Sequence, residues 1–369
     1  MFGQQNRIAR AGLRRRAGGL PLTAQLPEAM RASFLVRRMQ MEVRRLPLPE
    51  LPPGGMIIRA RSVGLCGSDV LKIRQTTLVE PGVIGHEVAG EVVAVDPRGS
   101  LRFGVGDRVV VGHVHIPCLH CTYCRHGNPA MCRTFKSTHI DPGGFAEYVA
   151  LSADHAAHSV LALPDAVPLD EGTLVDPVAC CLRALQRCSL APFDRVGVVG
   201  AGTMGVIFLQ LLHHLQATGF AFDISPARLE SALHFGAEHA FDPRRPETLG
   251  QIMQKTAEEG LDTVLLTVVD PATVEFAQQA VRDGGAICLF GGPSGDNPPQ
   301  LDFYRMFRRE GSLIGSYSST LADMGAALEW IRTGKVRAAE MITGQCSLEG
   351  ILDAIAAMDD RTYRIIVHP

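Results

Sequence analysis

The stretch Val196-Gly197-Val198-Val199-Gly200-Ala201-Gly202-Thr203-Met204-Gly205 constrains this chain more than any other. A short apolar strand runs into a tight glycine turn, and the turn opens a long apolar helix. A strand, then G-x-G-x-x-G, then a helix is an arrangement in which a dinucleotide's pyrophosphate can sit. Gly200 permits the sharp turn, Gly202 has no Cβ to block the phosphates, and Gly205 lets the helix pack close to the strand. Exposed N–H groups at the helix start, around Thr203 and Met204, then meet the negative charge at the positive end of the helix dipole.

Glycine turns also join strands to helices for packing reasons alone, so the flanking residues matter. A helical run from Val206 to Leu215 is followed by Thr218-Gly219, a second apolar run, Phe220-Ala221-Phe222, and then Asp223. That acid stands about twenty residues past the glycines, where a carboxylate accepts hydrogen bonds from an adenosine ribose. It would repel a 2′-phosphate, so NAD is expected over NADP. Arg228 could reach a ribose or phosphate of the same cofactor, or could equally be a solvated helix residue.

From residue 195 onward the pattern alternates. Strands are expected at 195–199, 219–223, 239–241, 261–268, 285–290 and 312–317, with helices at 204–217, 226–236, 246–258 and 273–282. This predicts a doubly wound parallel sheet of the Rossmann type with covering helices. Before it, short strands with Gly and Pro turns run from Ala32 to about Leu163, as in an all-β domain, and a break follows at Pro164 and Pro168. After it, Leu321 to Thr333 reads as a helix and Ser347 to Met358 as another, capped by Ser347-Leu348-Glu349. Arg364-Ile365-Ile366-Val367 closes the chain as a strand. The fold class is α/β with a separate β-rich part, and a length of 369 residues suits two domains.

Residues 1–29 differ from the rest: Arg7, Arg10, Arg14, Arg15 and Arg16 lie among Ala, Gly and Leu, and the first acid is Glu28. A transit peptide is one reading. A disordered tail, or an upstream start with Met30 as the working one, is favoured because serines are few. A net charge of -2 gives no reason to expect nucleic acid or membrane partners, and no apolar run reaches membrane-spanning length. Ten cysteines without a secretory signal suggest metal ligands and free thiols in a reducing, cytoplasmic setting.

Cys118, Cys121, Cys124 and Cys132 are spaced three, three and eight apart. Tetrahedral zinc needs four soft ligands at one point, and a site closed by four protein ligands is structural. His120 and His126 are read as bystanders. A second constellation is dispersed: Cys66 in Gly64-Leu65-Cys66-Gly67-Ser68-Asp69, and His86-Glu87 after Gly85. One thiolate, one imidazole and one carboxylate from separate loops can leave a coordination position open to substrate. Taken alone, a buried thiol and a satisfied histidine explain Cys66 and His86 as well. His113 and His115 alternate with Val114 and Ile116, so they are expected on one face of a strand, where a third metal site is a weaker reading. His213 and His214 read as surface or interface residues. Cys180, Cys181, Cys188, Cys288 and Cys346 read as packing thiols.

With these residues assembled, the chain from about Met30 onward resembles the zinc-dependent medium-chain alcohol and polyol dehydrogenases. The resemblance rests on the two constellations, on Gly106-Asp107-Arg108-Val109, on Gly143-Gly144-Phe145-Ala146-Glu147-Tyr148, and on the glycine turn. It implies a GroES-like β-rich catalytic domain over 30–176 and 319–369, interrupted by a Rossmann NAD-binding domain over 177–318. It implies one catalytic and one structural zinc, an alcohol or ketone substrate, and a homodimer or homotetramer joined near Ser312 to Tyr317. Cys66 and His86 match the catalytic-zinc ligands, and Glu87 matches an acid that ligates directly or exchanges with water. Asp176, before Pro177, matches a further ligand position occupied by glutamate in the polyol and threonine branches. Asp69 matches the acid that orients the histidine, and Ser68 the hydroxyl that takes the alcohol's proton.

Two departures bear on substrate. Val70-Leu71-Lys72 stands where many relatives carry a relay histidine or tyrosine, so Lys72, water or a shorter relay would serve. Gly315-Ser316-Tyr317-Ser318-Ser319 lacks the Arg-Tyr pair of many sorbitol-type enzymes, which makes sorbitol doubtful and leaves a cyclitol, another sugar alcohol or an amino-alcohol. Three other readings compete. A zinc-independent quinone or enone reductase fits Cys66, His86 and Asp223 poorly. A zinc-ribbon module leaves the glycine turn unexplained, and a non-catalytic NAD sensor differs only in turnover.

Overall fold

Three sheets carry the fold in the computed structural model, whose described residues are 26–75, 81–99, 102–292 and 298–369. The expected N-terminal tail lies outside them apart from residues 26–29, and the first strand starts inside that stretch, earlier than Ala32. The β-rich part comprises β1 (Ala29–Arg37), β2 (Gln40–Pro47), β3 (Met56–Gly64), β4 (Gly82–Val83), β5 (Glu87–Val95), β6 (Arg108–Val111), β7 (Tyr148–Leu151) and β8 (Val160–Ala162). β3 is buried at every residue except Arg59 and Arg61, so it runs through the core. It pairs antiparallel with β5, with Gly64 opposite Glu87.

The second part is a parallel sheet of β9 (Arg195–Val199), β10 (Thr218–Phe222), β11 (His239–Phe241), β12 (Leu261–Leu266), β13 (Val281–Leu289) and β14 (Ser312–Gly315). Its order is β11-β10-β9-β12-β13-β14. The chain therefore winds outward in both directions from between β9 and β12. That reversal opens a crevice at the carboxyl ends of the central strands, where ligands of such sheets bind. The expected strands agree with these bounds within two residues at most ends; β13 begins four residues before 285 and β12 stops two before 268. The helix Thr203–His214 buries Val206 through Leu212 completely or nearly so, because it is covered by a second helix, Val175–Arg187.

That second helix was not anticipated. The resemblance puts a domain boundary between Asp176 and Pro177, yet the helix runs through both, because proline in a first turn removes no intrahelical hydrogen bond. Val175, Val178, Ala179, Cys181, Leu182, Ala184 and Leu185 are buried, leaving a narrow polar stripe.

After β14 the chain returns to the β-rich part. The helix Leu321–Arg332 is capped by Thr320, whose hydroxyl accepts from the Asp323 N–H. β15 (Ile342–Ser347) pairs parallel with β16 (Arg364–His368), and β16 pairs antiparallel with the end of β3. The expected helix over 347–358 shrinks to Ile351–Ala356, with Gly350 at its N-cap. Ser347 is not a cap: it is the last residue of β15, paired with His368, so backbone pairing outcompetes the local capping pattern. β15 itself went unread because Gly344 interrupts its thin apolar alternation.

Candidate active site

The pairing of β3 with β5 assembles the dispersed constellation. Cys66 lies two residues beyond Gly64, and His86 one residue before Glu87, so the Gly64–Glu87 register brings all three donors to one sheet end. Their ligand atoms lie within 4.8 Å of one another. Asp69 is fully buried and sits 3.3 Å from His86 Nδ1, which leaves Nε2 toward the thiol and carboxylate. The Cys66 N–H donates to the same carboxylate at 3.3 Å.

Burial alone would depress His86, but the Asp69 carboxylate and the Cys66 sulfur together hold it well above the ordinary imidazole range. Burial alone would raise Cys66, and His86 outweighs it, so the thiol is lowered. A thiolate beside an imidazole and a carboxylate is a donor set that zinc takes readily, the cation replacing the shared proton.

Glu87 has a second partner besides this group. Its carboxylate forms an ion pair with Arg364, the first residue of β16; the two side chains are 1% and 3% exposed. A Cβ on Gly64 would overlap both groups, which explains the glycine there. Asp176 is not drawn into the three-residue group. It lies partly buried at the start of its helix, close enough to His86 to feel its charge, with the Cys180 thiol 3.9 Å away. Burial pushes its carboxyl up to about 6.

The four-cysteine loop closes as its spacing suggests. All four sulfurs lie within 4.8 Å of one another, and the N–H groups of Cys121 and Cys118 donate to Cys118 Sγ at 3.3 Å and Cys132 Sγ at 3.4 Å. Despite burial, N–H groups of Cys118 and Phe135 hold the Cys132 thiol down at about 6, whereas burial pushes Cys124 up to about 12. The lobe buries only Ala130, Cys132 and Phe135 as a core, too little to fix such a loop without a cross-link. His120 and His126 are exposed and bond to backbone carbonyls of Cys118 and Thr122.

The glycine turn has the geometry expected of it. Gly200 has φ +92, a left-handed conformation, and a Cβ there would strike Thr267. A Cβ on Gly205 would overlap the Gly200 carbonyl, so helix and turn are in contact, whereas none of the described residues lies within 4 Å of the Cβ direction of Gly202. That open side faces the start of the helix Thr203–His214, with Met204 second along it. Asp223 Oδ2 accepts from the Ala201 N–H at 2.8 Å and Oδ1 from the Ser225 N–H at 2.9 Å. Arg228 Nη1 stands 3.9 Å from the same carboxylate. Beyond Asp223 a cleft of about 290 Å³ is lined by Ile224, Pro226, Leu229, Phe241 and Arg245 among others.

Two consecutive residues join the nucleotide turn to the metal constellation. Thr203 Oγ1 donates to the Tyr363 carbonyl, and Arg364 pairs with Glu87. Neighbouring Cα atoms are about 3.8 Å apart, so the segment Tyr363–Arg364 touches the turn with one residue and the ligand group with the next.

Comparison with known proteins agrees with this arrangement. Residues 52–165 match the family model described as alcohol dehydrogenase GroES-like domain, and residues 203–333 match zinc-binding dehydrogenase. A sorbitol dehydrogenase of Bacillus subtilis is 28% identical, over 94% of this chain and 99% of its own. A D-altritol 5-dehydrogenase of Agrobacterium fabrum is 32% identical, over 78% of this chain and 84% of its own. A candidate zinc-binding dehydrogenase of Sinorhizobium meliloti, bound to NADP, shares the fold with a TM-score of 0.83 at 23% identity, covering 93% of this chain and 100% of its own.

The chain belongs to the zinc-type medium-chain alcohol and polyol dehydrogenases. It is an oxidoreductase of the CH–OH class.

Some site residues of this dehydrogenase escaped the sequence reading. Arg364 heads an apolar strand and looks like a flanking charge until β16 is registered on β3. Cys180 is no simple packing thiol, since it lies beside Asp176. His113 and His115 are not on a strand, because β6 ends at Val111. The His115 N–H donates to His113 Nδ1 at 3.0 Å, so the His113 proton is on Nε2, which donates to Ser318 Oγ at 2.5 Å. With both nitrogens engaged, His113 has no lone pair for a metal. Ser68 is exposed beside Cys66, and Lys72 Nζ stands 4.0 Å from Asp69.

Proposed function

We propose that this dehydrogenase transfers hydride between NAD and the secondary alcohol of a small polyol, cyclitol or amino-alcohol, at a zinc centre held by Cys66 and His86. The observation that supports the proposal is the link through Tyr363 and Arg364, which runs from Thr203 at the glycine turn to Glu87, the neighbour of His86. Zinc there supplies the Lewis acidity that makes an alcohol hydroxyl easier to deprotonate near neutral pH. NAD supplies the hydride acceptor.

The chain's own residues do the rest. Asp69 fixes the His86 tautomer, so that Nε2 is the ligand atom. Glu87, neutralised by Arg364, and Asp176, held at the cleft by its helix, are the two carboxylates able to complete the ligand set. Ser68 takes the proton from the alcohol and passes it to solvent. Asp223 receives the adenosine ribose, the adenine lies in the cleft lined by Ile224 and Phe241, and Gly200, Gly202, Thr203, Met204, Gly205 and Arg228 surround the phosphates and ribose. Cys118, Cys121, Cys124 and Cys132 hold the structural zinc.

The catalytic part comprises 30–176 and 319–369, and the NAD part 177–318. Two chains associate through β14, an edge strand with exposed Leu313 next to exposed Phe303, Tyr304 and Phe307. Ten free cysteines favour the cytoplasm. Among the described residues no helix is long and apolar enough to cross a membrane.

The test is an NAD or NADP reduction assay with zinc-loaded protein across polyols, cyclitols and amino-alcohols. Reduction of NAD with at least one of them is expected. NADH binding without turnover on any would favour the sensor reading instead.

A further inference from the structure

Asp176, Cys180, Arg183 and Arg187 recur at i, i+4, i+7 and i+11 of the helix Val175–Arg187, so they form a single stripe. The buried residues on the other faces fix the rotation of the helix, and thereby what the stripe faces. At one end the Cys180 thiol lies 3.9 Å from Asp176, which is close enough to His86 to feel its charge. At the other, about 16 Å along the axis, Arg183 Nη2 donates to the Gly127 carbonyl at 2.6 Å and Arg187 Nη1 to Asn128 Oδ1 at 3.2 Å. Gly127 and Asn128 lie between the third and fourth cysteines of the zinc lobe.

Arg187 makes a second contact, from Nε to the Gly315 carbonyl at 2.8 Å. Gly315 ends β14, and β14 is parallel to β9, so the loop that follows emerges on the same sheet edge as the glycine turn. That loop is held again at Ser318 by His113, and at Thr320 by Asp323, whose carboxylate is 4.0 Å from Arg183. The Ser316 hydroxyl is buried with no hydrogen-bond partner among the described residues, and the buried Ser319 hydroxyl stands beside the Cys180 thiol. A single planar guanidinium holds the lobe and the loop with two donors at fixed angles, a geometry the flexible ammonium of a lysine does not preset.

We infer that Arg187 is a positioning residue, tying the four-cysteine lobe to the loop 315–320 so that an ordered lobe fixes one wall of the substrate cleft. The kinetic part of this inference rests on the dehydrogenase reading; the mechanical part does not.

The test uses full-length, zinc-loaded Arg187→Met, Arg187→Lys and Asn128→Ala proteins, in hydrogen-exchange mass spectrometry, alcohol kinetics and zinc analysis. Arg187→Met and Asn128→Ala should both speed amide exchange across 315–320 by about threefold to tenfold, the scale of one partly exposed charge-assisted hydrogen bond. They should raise the alcohol KM by a similar factor with kcat within about twofold, and keep wild-type zinc content. Arg187→Lys should fall between them and wild type. Unchanged exchange in both variants overturns the inference, and so does an effect of Arg187→Met with Asn128→Ala silent, because the lobe would then not be part of the linkage. If no alcohol is turned over, the dehydrogenase reading fails and the exchange result alone decides this one.

Discussion

Arg364→Met tests the linkage between the two halves of the site. The Arg364 and Glu87 side chains are both almost wholly excluded from water, at 3% and 1% exposure. Removing one partner of such a pair strands a carboxylate in a low-dielectric interior, which costs about 3–5 kcal/mol, far above the value of a surface ion pair. Methionine fills much of the arginine volume, so the loss is chiefly electrostatic. Neutralising the other partner as well, in Glu87→Gln/Arg364→Met, removes the stranded charge and should recover at least about 2 kcal/mol. Urea unfolding followed by far-ultraviolet circular dichroism measures both. With a slope near about 3 kcal/mol/M, the single variant should unfold at least about 1 M earlier than wild type. NADH affinity should fall as well, because Tyr363, which accepts from Thr203 at the glycine turn, is adjacent in the chain. A cost below about 1 kcal/mol for Arg364→Met, or a double variant no better than the single one, would refute the argument.

Cys66→Ser should lose activity while staying folded and keeping one zinc, whereas Cys118→Ser should lose stability first; metal analysis beside thermal unfolding separates them. Asp223→Ala should weaken NADH binding by about tenfold to a hundredfold, as expected for hydrogen bonds to a charged group, and narrow the preference over NADPH, read by fluorescence titration. Asp262 is partly buried, which alone would raise its carboxyl, but Arg195 and then Arg282 hold it down at about 2. Its contribution is therefore complete above the ordinary carboxylate value of about 3.9 and fades as pH falls toward 2. Asp262→Asn should flatten that acid limb of stability, measured by unfolding across the range.

What could be read from the sequence was whatever depended on near neighbours in the chain. The glycine turn, Asp223 at the end of β10 and the cysteines of the zinc lobe owe their geometry to short spacings, and each lies where those spacings direct. The six strands of the parallel sheet were legible because each holds a short apolar run between turns, and β13 was read late because Arg282-Asp283-Gly284-Gly285 interrupts its start. Arg364 was invisible for the opposite reason: its role exists only once β16 lies against β3. The helix Val175–Arg187 was hidden because it crosses the expected domain boundary at 176/177, and with it went the stripe joining Asp176 to Arg187. Ser347 shows the converse error, a plausible cap overridden by a strand pairing that no local pattern reports.

Anomalous scattering at the zinc absorption edge, from crystals grown with NADH, addresses the central claim most directly. Two peaks are predicted per chain, one enclosed by Cys118, Cys121, Cys124 and Cys132, the other between Cys66 and His86 and facing the nicotinamide ring. A map of fully zinc-loaded protein with density at the four cysteines and none between Cys66 and His86 would contradict the account.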